Sequence, residues 1–343
     1  MKQLLRTLFI LSENTYLTLH QDNVVVKQEE RTLASIPLRS LDAILCFSYK
    51  GASPALMGAC CEFGVQLSFF KPTGRYLCSV LGEHQRNIIL RKEQFAISSA
   101  PEMALPYAQS FITGKIYNAR WVVERTKRDH ELRVNVERLQ HTSATLQKLL
   151  TALKDCESID QLRGIEGLAA HEYFATFDDL ILRDKEHFYF TERSRRPPLD
   201  PMNALLSFIY VLLQSSCASA LHGVGLDPYA GFMHTDRPGR ASLSLDVMEE
   251  LRPCLADRFA LTLVNTGVIQ YKHFETQENG SVLLSELGRK TVLTAWEKRK
   301  QETITHPFLQ EKISWGLLPY TQALLLARTI RGDLDAYPPF LWK

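Results

Sequence analysis

The sequence predicts an α+β fold, with a β-rich part over residues 1–97 and a larger, mainly α-helical part over residues 98–343. Two observations carry this: short apolar runs punctuated by turn signals in the first part, and long stretches with helical spacing in the second. In the first part, Tyr16-Leu17-Thr18-Leu19-His20 and Val24-Val25-Val26-Lys27 flank Gln21-Asp22-Asn23, a hairpin signal. Apolar runs follow at Ala43 to Phe47, Val65 to Phe70 and Tyr76 to Leu81, with one small helix inserted at about Ser53 to Phe63. Lys71-Pro72-Thr73-Gly74 reads as a turn, because Pro fixes φ and Gly supplies the unusual backbone angle. Ala100-Pro101 and Leu105-Pro106 punctuate the boundary. From Tyr107 to Leu153 there is no Pro and no strand-like alternation, which predicts two long helices. Helical patterns resume at Gly164 to Phe174, Pro201 to Ala220, Ser244 to Asn265, Leu284 to Thr303 and Leu317 to Ile330.

Composition narrows the class. Hydrophobic residues make up 45% and charged residues 23%, a globular balance that excludes disordered and fibrous chains. The 40 Lys and Arg against 38 Asp and Glu give +2, which excludes a wholesale polycation but not a local basic face. The 7 cysteines are odd in number and form no C-x-x-C, so a reducing compartment is expected in place of a disulfide or zinc framework. Pro201 to Leu226 lacks Asp, Glu, Lys and Arg, yet it carries Asn203, Gln214, His222 and a Ser-Ser-Cys-Ala-Ser cluster. That polarity points to a buried helix of a cytoplasmic protein with no membrane association.

Three segments set metal-ligand residue types in open or polar surroundings. In Arg163-Gly164-Ile165-Glu166-Gly167-Leu168-Ala169-Ala170, the carboxylate of Glu166 has no bulky neighbour and is open to an ion, a phosphate or a backbone. His234, in Gly231-Phe232-Met233-His234-Thr235-Asp236, sits on a loop before a helix, where ligands and general acids are often placed. Asp246 and Glu249 are three apart and share one helix face, while Leu245, Met248 and Leu251 can face the core. Each segment alone is equally an exposed Glu near a helix start, a surface His or a solvated acidic face. Together, two or three carboxylates and one imidazole without a thiolate suit a hard divalent ion such as Mn²⁺ or Mg²⁺ better than zinc.

Basic residues also cluster. Between Arg86 and Arg138 there are 10 Lys or Arg and 6 Asp or Glu, with Lys115, Arg120, Arg125, Lys127 and Arg128 close together. Arg193, Arg195 and Arg196 precede a Pro-Pro pair. Such clusters can neutralise phosphates, and equally can form a solvated mixed-charge face.

The series R-G-I-E-G-x-A-A-x-x-Y-F (163–174), R-R-P-P-x-D-P-x-N-A-L-L-S-F-x-Y (195–210), G-F-x-H (231–234) and S-L-x-L-D-x-M-E-E-x-R-P (242–253) resembles the CRISPR-associated endonuclease that integrates new spacers, the first-numbered Cas family. The ending A-R-x-x-R-G-D-L-D-x-Y-P-P-F (327–340) resembles that family's type I-C branch. The resemblance covers nearly the whole chain and implies an N-terminal β domain for dimerisation and partner contact, joined to a helical catalytic domain. It implies a metal-dependent DNA endonuclease and integrase acting on double-stranded DNA. It assigns the metal to Glu166, His234 and Glu249, with Asp246 as an accessory acid of the catalytic group. It implies a homodimer and a small second Cas protein, two dimers bridged by one partner dimer in a hetero-hexamer. Arg252, three residues beyond Glu249, is then placed to meet a scissile phosphate or to pair with Asp246 or Glu249. Asn203 is placed to orient a carboxylate or the DNA, or to cap its helix. Lys115, Arg120, Arg125, Arg195 and Arg196 complete the expected DNA-contacting set. A general nuclease for branched or damaged DNA and a non-catalytic DNA-binding scaffold remain open beside this reading.

Overall fold

The structure is a computed structural model that describes residues 2–4, 7–10, 12, 14–41, 43–70, 76–80 and 88–343. The turn expected at residues 71–74, the end of the run at Leu81, and Arg86 lie outside the described residues. The N-terminal elements are β1 (Lys2–Leu4), β2 (Thr7–Ile10), β3 (Thr15–His20), β4 (Asn23–Gln28), β5 (Arg31–Pro37), β6 (Ala43–Cys46), α1 (Pro54–Phe63), β7 (Gln66–Phe70) and β8 (Tyr76–Ser79). Strands β3, β4 and β5 form an antiparallel meander, while the others form one sheet in the order β1-β2-β6-β7-β8. The pairs β2–β6 and β6–β7 are parallel, so each needs a crossover; the meander makes the first and α1 makes the second.

Alternation along these strands sends successive side chains to opposite faces, and each face has its own core. Leu8, Ile10, Ile44, Cys46 and Leu67 pack with Leu56, Ala59 and Cys60 of α1 and with Leu17, Val24 and Val26 of the meander. Phe9, Leu45, Phe47 and Phe70 turn the other way and join the helical core. There the Tyr320 ring meets Phe47 at 5.4 Å and Phe70 at 5.5 Å, both edge-on. Strand β5 escaped the sequence reading because it is an edge strand whose side chains are largely exposed, leaving no apolar run.

The helices are α2 (Ile88–Ser99), α3 (Pro101–Asp129), α4 (Val136–Ala152), α5 (Ile159–Ala175), α6 (Pro201–Val224), α7 (Ser242–Leu251), α8 (Arg258–Asn265), α9 (Glu286–Gln301) and α10 (Leu318–Ile330). Short hairpins β9 (Phe274–Thr276) with β10 (Val282–Leu284) and β11 (Thr303–Thr305) with β12 (Lys312–Ser314) were too brief to read from pattern. Side-chain caps open several helices: Asn135 accepts from Arg138 N, Ser158 from Gln161 N, Asp200 from Asn203 N, and Ser285 from Gly288 N.

Two expectations change. The Leu105-Pro106 pair does not break the chain, because Pro106 lies inside α3. It sits one turn from the helix start, where the carbonyl it leaves unpaired belongs to the exposed Glu102 and water can satisfy it. The single pattern over Ser244 to Asn265 becomes α7 and α8, separated by a wide turn over Arg252–Asp257 where Pro253 interrupts the ladder. Helix α6 is long and apolar enough to cross a membrane, with mean hydropathy 1.7. It packs instead against α7, α10, β7, β8 and β10, with Asn203, Cys217 and Ser219 buried.

A final strap closes the helical part. Buried Asn118 of α3 donates to Phe340 O at 2.7 Å and to Glu250 O at 2.7 Å, and accepts from Trp342 N at 2.9 Å. Glu250 of α7 accepts from Phe340 N at 2.6 Å and from the Tyr337 hydroxyl. Residues 337–342 thereby tie α3 to α7 from behind the surface that carries the acidic residues.

Candidate active site between three helices and a loop

Helices α3, α5 and α7 and the loop after α6 converge on a few charged side chains. Helix α7 supplies Asp246 and Glu249 on one face, with Arg252 one further turn along. Asp246 is fully buried, and both of its oxygens are spent on the loop. Oδ2 accepts from Phe232 N at 2.6 Å and Met233 N at 3.1 Å, while Oδ1 accepts from His234 N at 3.0 Å and pairs with His234 Nδ1 at 2.6 Å. Those bonds fix the imidazole so that its Nε2 faces Glu249 Oε1, 3.9 Å away. The loop gets this close only because residue 231 is Gly: a Cβ there would stand 2.6 Å from Ser242 Cβ and 3.1 Å from Asp246 Oδ2. Asp246 therefore stands behind His234 as its positioning residue, not in the opening as an accessory acid.

Glu249 is the electrostatic centre. Arg252 Nη1 lies 3.1 Å from its Oε1 and Lys115 Nζ lies 2.7 Å from its Oε2. Burial alone would raise its pKa, but Arg252, Lys115 and His234 together hold it down at about 2. Lys115 also contacts Glu166 Oε1 of α5, so one ammonium bridges the two carboxylates. Arg163 secures α5 to the loop, donating to Met233 O at 2.6 Å. No bulk stands near Gly164 or Gly167, and a Cβ at either would meet nothing within 4 Å. This leaves the α5 surface beside Glu166 open. A cleft lined by Glu166, Ala170, Arg195, Tyr210, Arg252 and Lys115 runs from it.

At the cleft wall, Tyr210 of α6 has two guanidiniums near its ring, Arg193 at 5.3 Å and Arg252 at 5.1 Å, and donates to Asp257 Oδ1 at 2.6 Å. Burial raises the Asp257 carboxyl to about 6 against the opposing pull of Tyr210 and Arg252. Asn203 belongs to this support and not to a DNA surface. It is wholly buried, accepts from Arg193 Nη1 at 2.6 Å and donates to Glu192 O at 2.8 Å. Helix α6 is surrounded on the Asn203 side, so an amide there can serve only interior partners.

The structure brings together Glu166, His234, Asp246, Glu249, Lys115 and Arg252, and sets Arg195 on the same cleft. Arg196 is exposed one residue further on. Lys115 and Arg252, expected to contact DNA, are both committed to carboxylates here. Arg120 and Arg125 lie farther along α3, Arg125 about 15 Å beyond Lys115 by helix rise. There a group invisible in the sequence gathers. The guanidiniums of Arg125 and Arg258 lie 5.4 Å and 4.3 Å from the Trp342 ring, and Arg299 lies 4.6 Å from Trp315. Burial, then the neighbouring Arg125 and Arg299 charges, push Arg258 down to about 10. Arg163, Lys115 as a bridge and this cationic cluster were missed, because their partners come from distant parts of the chain.

For a divalent ion, the donor types fit. Glu249 is ionised, its buried Oε2 accepts no well-directed hydrogen bond, and the His234 Nδ1 contact leaves Nε2 facing Glu249 Oε1. Among the described residues, no three His, Cys, Asp or Glu side chains stand together as a metal site as they are. Lys115 lies between the two glutamates.

Comparison with known proteins bears on this arrangement. The family model described as "CRISPR associated protein Cas1" matches residues 8–298. A CRISPR-associated endonuclease Cas1 of Chlorobaculum tepidum is 43% identical over 343 residues, covering 100% of both chains. Another, from Rhodospirillum rubrum, is 44% identical over 347 residues, again covering 100% of both. A chain in a solved partial Cas6-RT-Cas1–Cas2 complex is 26% identical, with a TM-score of 0.75 and coverage of 98% of each chain.

Proposed function

The chain belongs to the Cas1 family of CRISPR-associated proteins, and on that premise we propose that it cuts and joins DNA to insert new spacers. It is a DNA endonuclease and integrase, as its full-length relatives named as endonucleases support. The observation that carries the site reading is the convergence of Glu166, Glu249 and His234, with the imidazole aimed by Asp246. Glu166, Glu249 and His234 Nε2 would hold Mn²⁺ or Mg²⁺. When bound, such an ion supplies a Lewis acid that neutralises charge on a phosphoryl oxygen and favours the ionised nucleophile.

The protein's own groups do the rest. Asp246 keeps the imidazole oriented, and Arg252, stacked on Tyr210, presents a fixed guanidinium at the cleft edge. Arg195, on the cleft, and the exposed Arg196 beside it would contact a DNA backbone entering there. The cationic cluster around Trp342 offers phosphate contacts farther along α3. The reaction is phosphodiester transesterification: a 3′-hydroxyl of the incoming fragment attacks the phosphorus of a repeat phosphodiester, its P–O3′ bond breaks, and the released 3′-oxygen takes a proton.

A small Cas2-type partner is supported by the likeness to the Cas1–Cas2 complex chain. We extend this to a homodimer of the present chain and to two such dimers bridged by one partner dimer. The type I-C branch is supported by the A-R-x-x-R-G-D-L-D-x-Y-P-P-F ending, and a cytoplasmic location by the unpaired cysteines.

The test is a strand-transfer assay with supercoiled plasmid carrying a repeat, a short DNA duplex, the partner protein and Mn²⁺. Fragment joined to plasmid, lost in Glu166→Ala while DNA binding persists, is the expected result. Cleavage without joining would point to a general nuclease, and activity unaffected by Glu166→Ala would overturn the site.

A further inference from the structure

The two glutamates assigned to the metal come from different helices, and carboxylates brought together repel unless a cation stands between them. Lys115 of α3 is that cation. Its Nζ contacts Glu166 Oε1 and lies 2.7 Å from Glu249 Oε2, and its side chain is only 12% exposed. The other oxygen of Glu249 belongs to Arg252, at 3.1 Å. The lysine reaches this position because its neighbour is Gly114. A Cβ at residue 114 would stand 2.6 Å from Glu250 Cβ and 3.3 Å from Pro339 Cβ, so only glycine lets α3 lie this close to α7. A divalent ion held by Glu166 and Glu249 would stand beside the ammonium that now touches both carboxylates, and two cations that close repel each other. An ammonium cannot keep both contacts beside it, and a single nitrogen on a flexible four-carbon stem is the side chain best able to withdraw.

Resting on the proposed metal-dependent reading, we propose that Lys115 is a built-in counter-ion that competes with the divalent ion for Glu166 and Glu249. Lys115 holds the two carboxylates together in the metal-free protein and yields them when the ion binds. It therefore weakens metal affinity while keeping the ligands assembled, and it is a positioning residue for the ion and not a phosphate clamp.

The experiment is a Mn²⁺ titration of the full-length protein without DNA, with free Mn²⁺ read by electron paramagnetic resonance. It is run on the wild type, Lys115→Met, Lys115→Arg and Glu166→Gln, with thermal melting with and without Mn²⁺ as a second readout. Lys115→Met should bind Mn²⁺ at least about tenfold more tightly and show a larger Mn²⁺-induced rise in Tm, because an uncompensated carboxylate pair is relieved by the ion. Lys115→Arg should stay within about threefold of wild type, since the charge is kept. Equal or weaker binding by a Lys115→Met protein that melts cooperatively would overturn the proposal while leaving the metal site standing. If no Mn²⁺ binding is lost in Glu166→Gln, the metal reading itself falls and takes the counter-ion with it. Should Lys115→Met fail to melt cooperatively even with Mn²⁺ present, the proposal is also overturned, because the ion then cannot replace the lysine.

Discussion

Replacing Asp246 with Asn changes one atom type and leaves the shape intact, so its consequence can be worked from the four contacts the carboxylate makes. Phe232 N and Met233 N reach Oδ2, and His234 N and Nδ1 reach Oδ1, all between 2.6 and 3.1 Å. All three backbone groups are donors, and the ring nitrogen donates when it carries the proton. An Asn amide offers one acceptor oxygen, so whichever way it turns, its NH₂ meets donors. One rotamer keeps the ring contact and leaves two backbone N–H groups, Phe232 N and Met233 N, unpaired, at about 1–3 kcal/mol each, so the loss is about 2–6 kcal/mol. The better rotamer leaves only His234 N unpaired, at about 1–3 kcal/mol, and turns NH₂ to Nδ1, forcing that nitrogen to accept and moving the ring proton to Nε2, the atom that should face Glu249 with its lone pair. Reversing a tautomer in this way behind a functional imidazole costs up to about 10⁴-fold in rate. Urea unfolding of Asp246→Asn should therefore show a midpoint lower than wild type with an unchanged slope, and strand transfer should fall by about 10²–10⁴-fold. Nitrogen-15 NMR of the His234 ring should report an altered proton position. Stability within about 1 kcal/mol of wild type together with unchanged ring signals would refute the reasoning, since the four contacts would then carry no weight.

Two more expectations follow from the same region. Burial holds Glu250 up at about 7 and Asp257 up at about 6, so each binds its proton more tightly folded than unfolded. Their stabilisation is complete below about pH 4 and is lost as pH rises through 6 and 7, roughly 3 kcal/mol apiece. Glu249, held down at about 2, acts in the opposite sense and loses its contribution only in strong acid, below its ordinary range. Glu250→Gln should flatten the decline in unfolding free energy between pH 5 and 7.5 by about half, and an unchanged slope would remove Glu250 from the account. Gly114→Ala should lower stability by about 1–3 kcal/mol, although Ala is the better helix former by about 1 kcal/mol. A raised melting temperature in that variant would show that α3 and α7 do not need their close approach.

How much of this was legible depends on the range over which each feature is encoded. The β3–β4 hairpin, α1 and the charge-free α6 follow from neighbouring residues, so local pattern finds them. Pro106 misled because a breaker's effect depends on its distance from the helix start, which sequence locates only within a few residues. Glu166, His234 and Glu249 were picked out by residue type and by the family resemblance, and the structure sets them on converging elements. Asn203 stood in the same motifs, yet motif membership did not separate a side chain that meets a ligand from one that holds Arg193 beside Tyr210. Lys115 could not be distinguished from its basic neighbours, because what sets it apart is 51 residues away at Glu166. The signal that could have marked it is the glycine before it, a helix-destabilising residue retained where only close packing rewards it.

The strap over residues 337–342 also has a meaning in time. Asn118 and Phe340 are 222 residues apart, and at about 5–20 residues per second a ribosome needs roughly ten to forty seconds to travel from one to the other. Until residues 337–342 are made, Asn118 of α3 and Glu250 of α7 lack the Phe340 and Trp342 backbone groups that satisfy them. A nascent chain can make its sheet and most of its helices while the surface bearing Lys115 and Glu249 is still unsettled. An interrupted translation product would carry Glu166, His234 and Glu249 without the strap's bonds to Asn118 and Glu250.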